Sequence, residues 1–169
     1  MLRGGKMKER NSKLLTSFIK SRKVDVKELL ICVVGMLCNT HGCIYGESDI
    51  HNTMFHLLND KQFKHLKKDV SFESWEYNMF SPEIHDIIAR NNSCLGLSAV
   101  PHMSTTILFS ESPRFDDYDT VINKEKDYSE HGIEPTVFYV SPMGNMMWRG
   151  IYDRVLSDVE KATVLDIIE

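Results

Sequence analysis

One segment near the start of the chain constrains the fold more than any other, because Val26–Cys38 is apolar on nearly every side of a helix. Asp25 precedes this segment and is suited to cap a helix, and Gly42 follows it as a candidate left-handed cap. A helix that is apolar all round has to be covered on all sides. The segment therefore predicts a helix at the centre of a core, and its run from Leu29 to Cys38 is shorter than the roughly 18 to 20 residues of a membrane span.

Length and charge limit the organisation. A chain of 169 residues that is 42% hydrophobic suits one domain, which we predict over residues 12–169, after a basic, flexible tail at residues 1–11. Residues 1–28 hold nine Lys/Arg against three Asp/Glu, and the remainder holds eleven against twenty-one. A basic start on an acidic body excludes a surface that coats a polyanion, so any contact with nucleic acid has to be local.

The first half of the chain predicts helices. Beside the central helix we expect one near 12–21 and a third that is capped by Ser48 or Asp49, with Ile50, Met54, Leu57 and Leu58 facing inward. A further turn or two is predicted over Lys61–Lys68, with Phe63 and Leu66 inward. An extended segment, Val70–Tyr77, then leads to another helix at 82–92.

The second half predicts strands and then helices. The candidate strands are Leu95–Val100, Thr105–Ser110 and Thr136–Val140. Between the last two lies an acidic segment, Glu111–Glu134, which is long for a structureless loop and predicts a short helix near Thr120–Lys126. Two terminal helices follow, one opened by Ser141-Pro142 and one by the capping box that starts at Ser157.

The start of the helix at 82–92 carries the most specific motif. Ser81 can accept hydrogen bonds from the first amides, Pro82 has no amide proton to leave unpaired, and Glu83 suits the positive end of the helix dipole. With Tyr77 and Phe80 before it, this segment resembles the aromatic-Tyr-Gly-Pro-aromatic-Ser-Pro-Glu-Leu signature of the YwgA-like family of small winged-helix proteins. It is similar, more distantly, to the Panacea antitoxin domains. Here Asn78 and Met79 stand where Gly-Pro is usual.

The resemblance implies an α+β fold of winged-helix type. A helical core would carry a small antiparallel β-hairpin wing, with extra N- and C-terminal helices. Winged helices often bind DNA, so the function that the resemblance implies is a transcription regulator without enzymatic activity. The alternative, from another class, is an antitoxin-type module that binds and neutralises a partner protein or pairs with a second copy of itself.

Two groups of residues are candidates for DNA contact. The first is basic and lies on one predicted helical turn: Lys61, Lys64, Lys67 and Lys68. The second ends the helix at 82–92, which occupies the usual place of a recognition helix, and consists of Arg90, Asn91 and Asn92. The carboxylates Glu83 and Asp86 at the other end of that helix repel phosphates, so the helix is also a candidate for binding protein. For both groups the alternative is an ordinary solvated surface.

Other chemistry has little support in the sequence. Cys38, His41 and Cys43 lack the second half of a structural zinc motif, and we predict neither a metal site nor a cofactor. The four cysteines show no secreted-scaffold spacing, which predicts reduced thiols in the cytoplasm. No nucleophile, phosphate-binding or dinucleotide motif is present, so no catalytic residue is assigned. The apolar group Met143, Met146, Met147 and Trp148 predicts core packing, and exposure of Trp148 or Met147 would indicate a dimer or antitoxin-like interface.

Overall fold

The computed structural model describes residues 22–90, 97–100, 115–133 and 135–169, without the side chains of 90, 97–100 and 115–118. The predicted tail at 1–11, the helix near 12–21 and the strand Thr105–Ser110 lie outside these residues, as do Asn91 and Asn92. Within the described ranges the chain is an α+β protein, and its terminal helices lie outside the segment that carries the strands.

The elements are, in chain order, α1 (Val26–His41), β1 (Ile44–Tyr45), α2 (Ser48–Asn59), a 3-10 helix (Lys64–Asp69), β2 (Glu73–Ser74), β3 (Met79–Phe80), α3 (Pro82–Arg90), β4 (Leu97–Val100), α4 (Phe115–Lys124), α5 (Lys126–Glu130), β5 (Val137–Val140), α6 (Pro142–Arg154) and α7 (Asp158–Ile168).

The central helix was predicted correctly. Every residue of α1 from Leu29 to Cys38 is buried. A reciprocal capping box opens the helix, because Glu28 N donates to Asp25 Oδ1 at 2.8 Å and Asp25 N donates to Glu28 Oε1 at 3.3 Å. The helix ends where the amide of Gly42, at a φ of 83°, donates to the carbonyl of Cys38. Helices α2, α6 and α7 and strands β1 and β5 pack around α1.

Helix α6 approaches α1 most closely at Gly35. A Cβ atom built on Gly35 would lie 2.1 Å from Cγ of Trp148, so the indole ring occupies the space that any side chain at this position would need. Trp148 is itself 7% exposed, and its Nε1 donates to Asn145 Oδ1 at 3.0 Å. The predicted caps of the two last helices are confirmed, since Gly144 N donates to Ser141 Oγ and a capping box opens α7.

The strands form two antiparallel sheets. In the three-stranded sheet the order is β1-β5-β4, with Ile44 opposite Phe138 and Ala99 opposite Phe138 on the other side. Strands β2 and β3 form a separate hairpin, in which Glu73 lies opposite Phe80. The candidate strands Leu95–Val100 and Thr136–Val140 are thus confirmed as β4 and β5, and they pair with each other. In the described part of this segment, α4 and α5 replace the one short helix that we expected.

One local prediction was wrong, and a second, of a strand or extended arm over Val70–Tyr77, was correct only in part. Helix α2 begins at Ser48 with Glu47 in the capping position, and neither Ser48 nor Asp49 caps it, because the Ser48 hydroxyl donates instead to Glu125. The extended segment Val70–Tyr77 contains only the two residues of β2 as strand, because the chain turns back after Ser74 to form the hairpin. No helix in the described ranges has both the length and the apolar character needed to span a membrane.

We expect Gly35→Ala to lower the free energy of unfolding by about 1–3 kcal/mol or more, because the new methyl group would overlap the packed Trp148 ring. Urea denaturation measures this loss. Gly150→Ala is the matched control, since a Cβ at Gly150 on the same helix as Trp148 meets nothing within 4 Å. The control should leave stability unchanged or raise it by up to about 1 kcal/mol. Equal effects of the two substitutions would contradict the close approach of α1 and α6.

Candidate functional site

The signature segment folds into the β2–β3 hairpin and the start of α3. The amide of Trp75 donates to the carbonyl of Asn78 at 2.9 Å and closes the turn. Ser81, which is fully buried, follows β3 directly and accepts a hydrogen bond from Ile84 N at 3.2 Å. The sequence-based prediction that Ser81 and Pro82 open a helix is therefore confirmed.

A buried carboxylate from α5 holds the turn of the hairpin. Asp127 is 1% exposed, and its Oδ2 accepts from the backbone amides of Tyr77 at 3.2 Å and Asn78 at 3.0 Å. Its Oδ1 accepts from Asn78 Nδ2 at 2.9 Å. Asn78 Oδ1 in turn accepts from Asn52 on α2 at 3.0 Å. The side chain that departs from the family signature, Asn78, thus joins three separate parts of the chain, and a glycine there could not.

The aromatic residues of the signature form a stack. The ring of Trp75 lies between His131, at 3.7 Å and 6°, and Phe80, at 4.2 Å and 12°. Phe80 stacks on His51 at 5.1 Å, and the hydroxyl of Tyr128 donates to the carbonyl of Met79 at 2.5 Å. Offset and stacked ring pairs of this kind stabilise beyond the area they bury. Tyr77 is the exception, because 62% of its surface is exposed.

Beneath the hairpin lies a buried cluster of one glutamate and two histidines. Glu47 Oε2 accepts from His85 Nδ1 at 2.8 Å and lies 3.8 Å from His51 Nε2. His51 Nδ1 accepts from Ser81 N at 3.1 Å, which places the proton of the neutral ring on Nε2, where no hydrogen-bond partner is found among the described residues. This cluster connects α3 to the beginning of α2.

The pKa values of Glu47 and His85 are shifted in opposite directions by their contact. Burial alone would raise the pKa of Glu47, but the neighbouring rings of His51 and His85 hold this pKa below its ordinary value. The hydrogen bond to Glu47 raises the pKa of His85 above 6.5, against the smaller effect of burial. The two shifts describe an ionised carboxylate that favours a protonated, half-buried histidine.

A second buried carboxylate, Glu125, lies next to the same end of α2. Its Oε1 accepts from Ser48 Oγ at 2.5 Å and from Ser48 N at 3.2 Å, yet burial raises its pKa to about 7. Gly46 makes room for it, because a Cβ at this position, whose φ is 79°, would lie 2.3 Å from Glu125 Cδ. Only a glycine fits both the backbone and the close carboxylate.

The structure places the predicted basic residues together on the surface. Lys61, Lys64, Lys67 and Lys68 are all exposed, while Phe63 and Leu66 point inward as expected. Lys61 lies in a turn that leads into the 3-10 helix, and within that helix residues three apart, such as Lys64 and Lys67, are aligned on one side. Lys67 Nζ donates to Asn59 Oδ1 at 2.9 Å. We call the four residues the lysine surface.

Helix α3 presents less than the sequence suggested. We expected Glu83 and His85 on its outward face, but both are partly buried. Glu83 accepts from the amide and hydroxyl of Ser71, and His85 donates to Glu47. Asp86 and Ala89 are exposed. Arg90 ends the helix, and its side chain lies outside the described part of the chain, as Asn91 and Asn92 do.

The methionines and the tryptophan at the start of α6 differ in their exposure to solvent. Trp148 is buried, as predicted for the core, and Met147 is half-buried. Met143 and Met146 were expected in the core and are instead 68% and 77% exposed, because α6 turns only one side towards α1. The structure therefore contradicts the prediction that Met143 and Met146 pack in the core.

The cysteines and the candidate metal ligands that the sequence suggested do not form a metal site among the described residues. Burial raises the pKa of Cys32 and of Cys38 to about 12, so these thiols are poor nucleophiles. Across residues 22–90 and the later described ranges, no three His, Cys, Asp or Glu side chains are arranged to hold a metal ion.

The residues that organise this site were missed at the level of sequence: Glu47, Asn52, Glu125 and Asp127. Glu125 and Asp127 stand in an acidic segment that suggests a solvated surface, and no spacing pattern connects them to residues 46–78. In comparisons with known proteins, no family model, no curated protein and no solved structure matches this chain. The geometry of the site therefore carries the functional argument alone.

We expect Glu47→Gln to lower the pKa of His85 towards 6.5, because the variant removes the anionic acceptor at 2.8 Å. A titration of the histidine ring signals by NMR measures this. Glu130→Gln, at an exposed carboxylate on α5, is the control and should leave the His85 midpoint in place. An unchanged midpoint in Glu47→Gln would contradict the pairing.

The same pair sets a pH window for stability. The lowered pKa of Glu47 stabilises the fold above about 4.5, and this contribution disappears as the pH falls through the folded value. The raised pKa of His85 stabilises it below about 6.5, and this contribution disappears as the pH rises through the folded value. The pair therefore contributes most between these two ordinary values.

A separate prediction concerns Glu125. Its pKa is raised, whereas that of Glu47 is lowered, so its effect on stability changes with pH in the opposite direction. Because its pKa is raised from 4.5 to about 7, the folded state retains a proton that the unfolded chain has lost, and stability falls as the pH rises through this interval. Glu125→Gln should remove this loss, so its stability relative to the wild type should increase between pH 5 and pH 8 by on the order of 3 kcal/mol. Urea denaturation at both pH values measures it, with Glu130→Gln as control. Parallel pH profiles of wild type and Glu125→Gln would refute the assignment.

Proposed function

We propose that this chain is a non-enzymatic regulator of winged-helix type that contacts DNA through the lysine surface. The observation that carries the proposal is the group of exposed lysines on an otherwise acidic body. Lysines presented side by side on a rigid helical turn neutralise neighbouring phosphates and release their counterions, which supplies affinity without dependence on base sequence. A local basic surface also fits the charge balance, since the rest of the body repels DNA.

The order of the elements supports the winged-helix type. A winged helix places a short strand after its first helix and pairs it with the last strand of the wing. In this chain β1 follows α1 and pairs with β5, and β4 pairs with the other side of β5. Two features are unusual for that type. The β2–β3 hairpin stands between α2 and α3, and α4 and α5 stand between the strands of the wing.

The contacts of α3 favour binding to the DNA backbone over reading of bases through the first turn of this helix. The polar side chains that would face a groove are engaged within the protein, because Glu83 accepts from Ser71 at the surface and His85 donates to the buried Glu47. Reading of bases would therefore fall to the end of the helix, where Arg90, Asn91 and Asn92 follow one another. Arg and Asn are the residue types that pair with guanine and adenine edges.

A second candidate function is an antitoxin-type module that binds a partner protein. It is favoured by exposed apolar side chains on firmly held elements, namely Tyr77 on the hairpin and Met143 and Met146 on α6. Exposed aromatic and methionine side chains are common anchors of protein interfaces. The carboxylates on α3 fit a protein partner better than they fit DNA.

We expect the substitution of all four lysines of the lysine surface by Gln to weaken binding to a mixed-sequence DNA duplex at about 50 mM salt and to flatten the salt dependence. Each lost phosphate contact lowers the slope of log K against log salt by roughly 0.9. Fluorescence anisotropy at several salt concentrations measures both effects. Thermal denaturation should change little, because exposed substitutions shift stability by less than about 0.5 kcal/mol.

A pair of double variants controls for net charge. Lys64→Gln with Lys67→Gln should weaken binding, whereas Lys126→Gln with Arg154→Gln, which remove two exposed positive charges elsewhere, should not. Equal effects of the two pairs would assign the binding to net charge. If the purified wild-type chain binds no duplex even at about 50 mM salt, where phosphate contacts are strongest, the DNA proposal fails and the partner-binding module replaces it.

A further inference from the structure

A cavity of ≈310 Å³ lies away from the lysine surface, between four elements. It is bounded by the last turn of α1, strand β1, the first turn of α2 and the last turn of α4. Its volume is at the lower end of the roughly 300–1,000 Å³ typical of small-molecule sites. Helices and strands form its walls, so its shape is set by the core itself.

The inner part of the cavity is apolar. Leu37, Cys43, Ile44 and Val121 line it, and each is less than 8% exposed. These side chains offer no charge and, apart from the weak donor Cys43, no hydrogen-bonding group. This part suits a compact hydrocarbon body, such as one aromatic ring.

One side of the cavity carries a donor beside an acceptor. Lys124 Nζ donates to Asp49 Oδ2 at 2.6 Å and to the carbonyl of Tyr45 at 3.2 Å. An ammonium group has three donors, so within the described residues one N–H of Lys124 remains for a ligand. Asp49 Oδ1, the other oxygen of the carboxylate, accepts no hydrogen bond from those residues. The two charges of the ion pair largely cancel.

We propose that this cavity binds a small, uncharged organic molecule with an apolar body and an amide-type edge, in which C=O stands beside N–H. The carbonyl oxygen accepts from Lys124, and the N–H donates to Asp49. A ligand carboxylate would meet the charge of Asp49, and a ligand ammonium would meet that of Lys124, so a neutral edge fits the pair best. Lactams, primary amides and nucleobases share this edge. The proposal is independent of DNA binding.

Three matched probes test the ligand class: benzamide, acetophenone, which keeps the C=O and lacks the N–H, and benzoate, which carries a charge. We expect benzamide to shift the NMR methyl signals of Ile44 and Val121 saturably at concentrations up to about 50 mM. Acetophenone and benzoate should bind about 2- to 10-fold more weakly, the factor expected for one hydrogen bond. The absence of saturable shifts with benzamide, or equal affinity for all three probes, would overturn the proposal.

Two variants test the location. Val121→Phe fills the apolar part and should abolish the benzamide response. Lys124→Met keeps the length of the side chain, removes the donor to the C=O of both probes and should weaken the binding of benzamide and of acetophenone alike, by about 2- to 10-fold. Lys126→Met, at an exposed lysine two residues away, is the matched control and should bind as the wild type does. If Val121→Phe does not fold, Lys124→Met decides alone, and an unchanged affinity for benzamide in that variant refutes the site.

Discussion

The structure depends on one constraint, which is that α1 has to be covered on every side. Ten consecutive residues, Leu29–Cys38, have almost no contact with water, so no single neighbouring helix suffices. Helix α6 covers one side through the contact of Trp148 with Gly35, while α2, α7 and β5 cover the others. Because the burial of apolar surface is the dominant favourable term in folding, the remaining elements take positions that complete this shell.

Buried carboxylates then connect segments that are distant in the sequence. Asp127 is satisfied by the amides and the side chain of the hairpin turn, and Glu47 by His85. Among the described residues Glu125 accepts hydrogen bonds from Ser48 alone, and it retains a proton up to a pH of about 7. Burying a charge is costly unless hydrogen bonds replace the lost water. The three carboxylates therefore differ in how far hydrogen bonds replace their lost hydration, from Asp127 with three donors to Glu125, whose pKa is raised.

These intramolecular contacts also limit what the surface can do. Two polar side chains of α3, Glu83 and His85, are occupied in holding the fold together. What stays exposed is the lysine surface on one side and isolated apolar side chains such as Tyr77 and Met146 on others. The residues proposed for contact with DNA and those proposed for a protein partner are therefore different, and the cavity beside Lys124 includes none of them.

The sequence by itself determined the features that depend on near neighbours. The caps at Asp25, Ser81, Ser141 and Ser157 and the inward faces of α1 and α2 follow from residues three or four positions apart, so their patterns are visible in the chain. Only the tertiary structure decided which polar groups are buried together. Glu125 and Asp127 look like solvated residues of an acidic segment, and they become internal only because α5 packs against α2 and the hairpin. The reason is physical: a carboxylate loses its water through contacts with residues about fifty or more positions away, and no local pattern records such a contact.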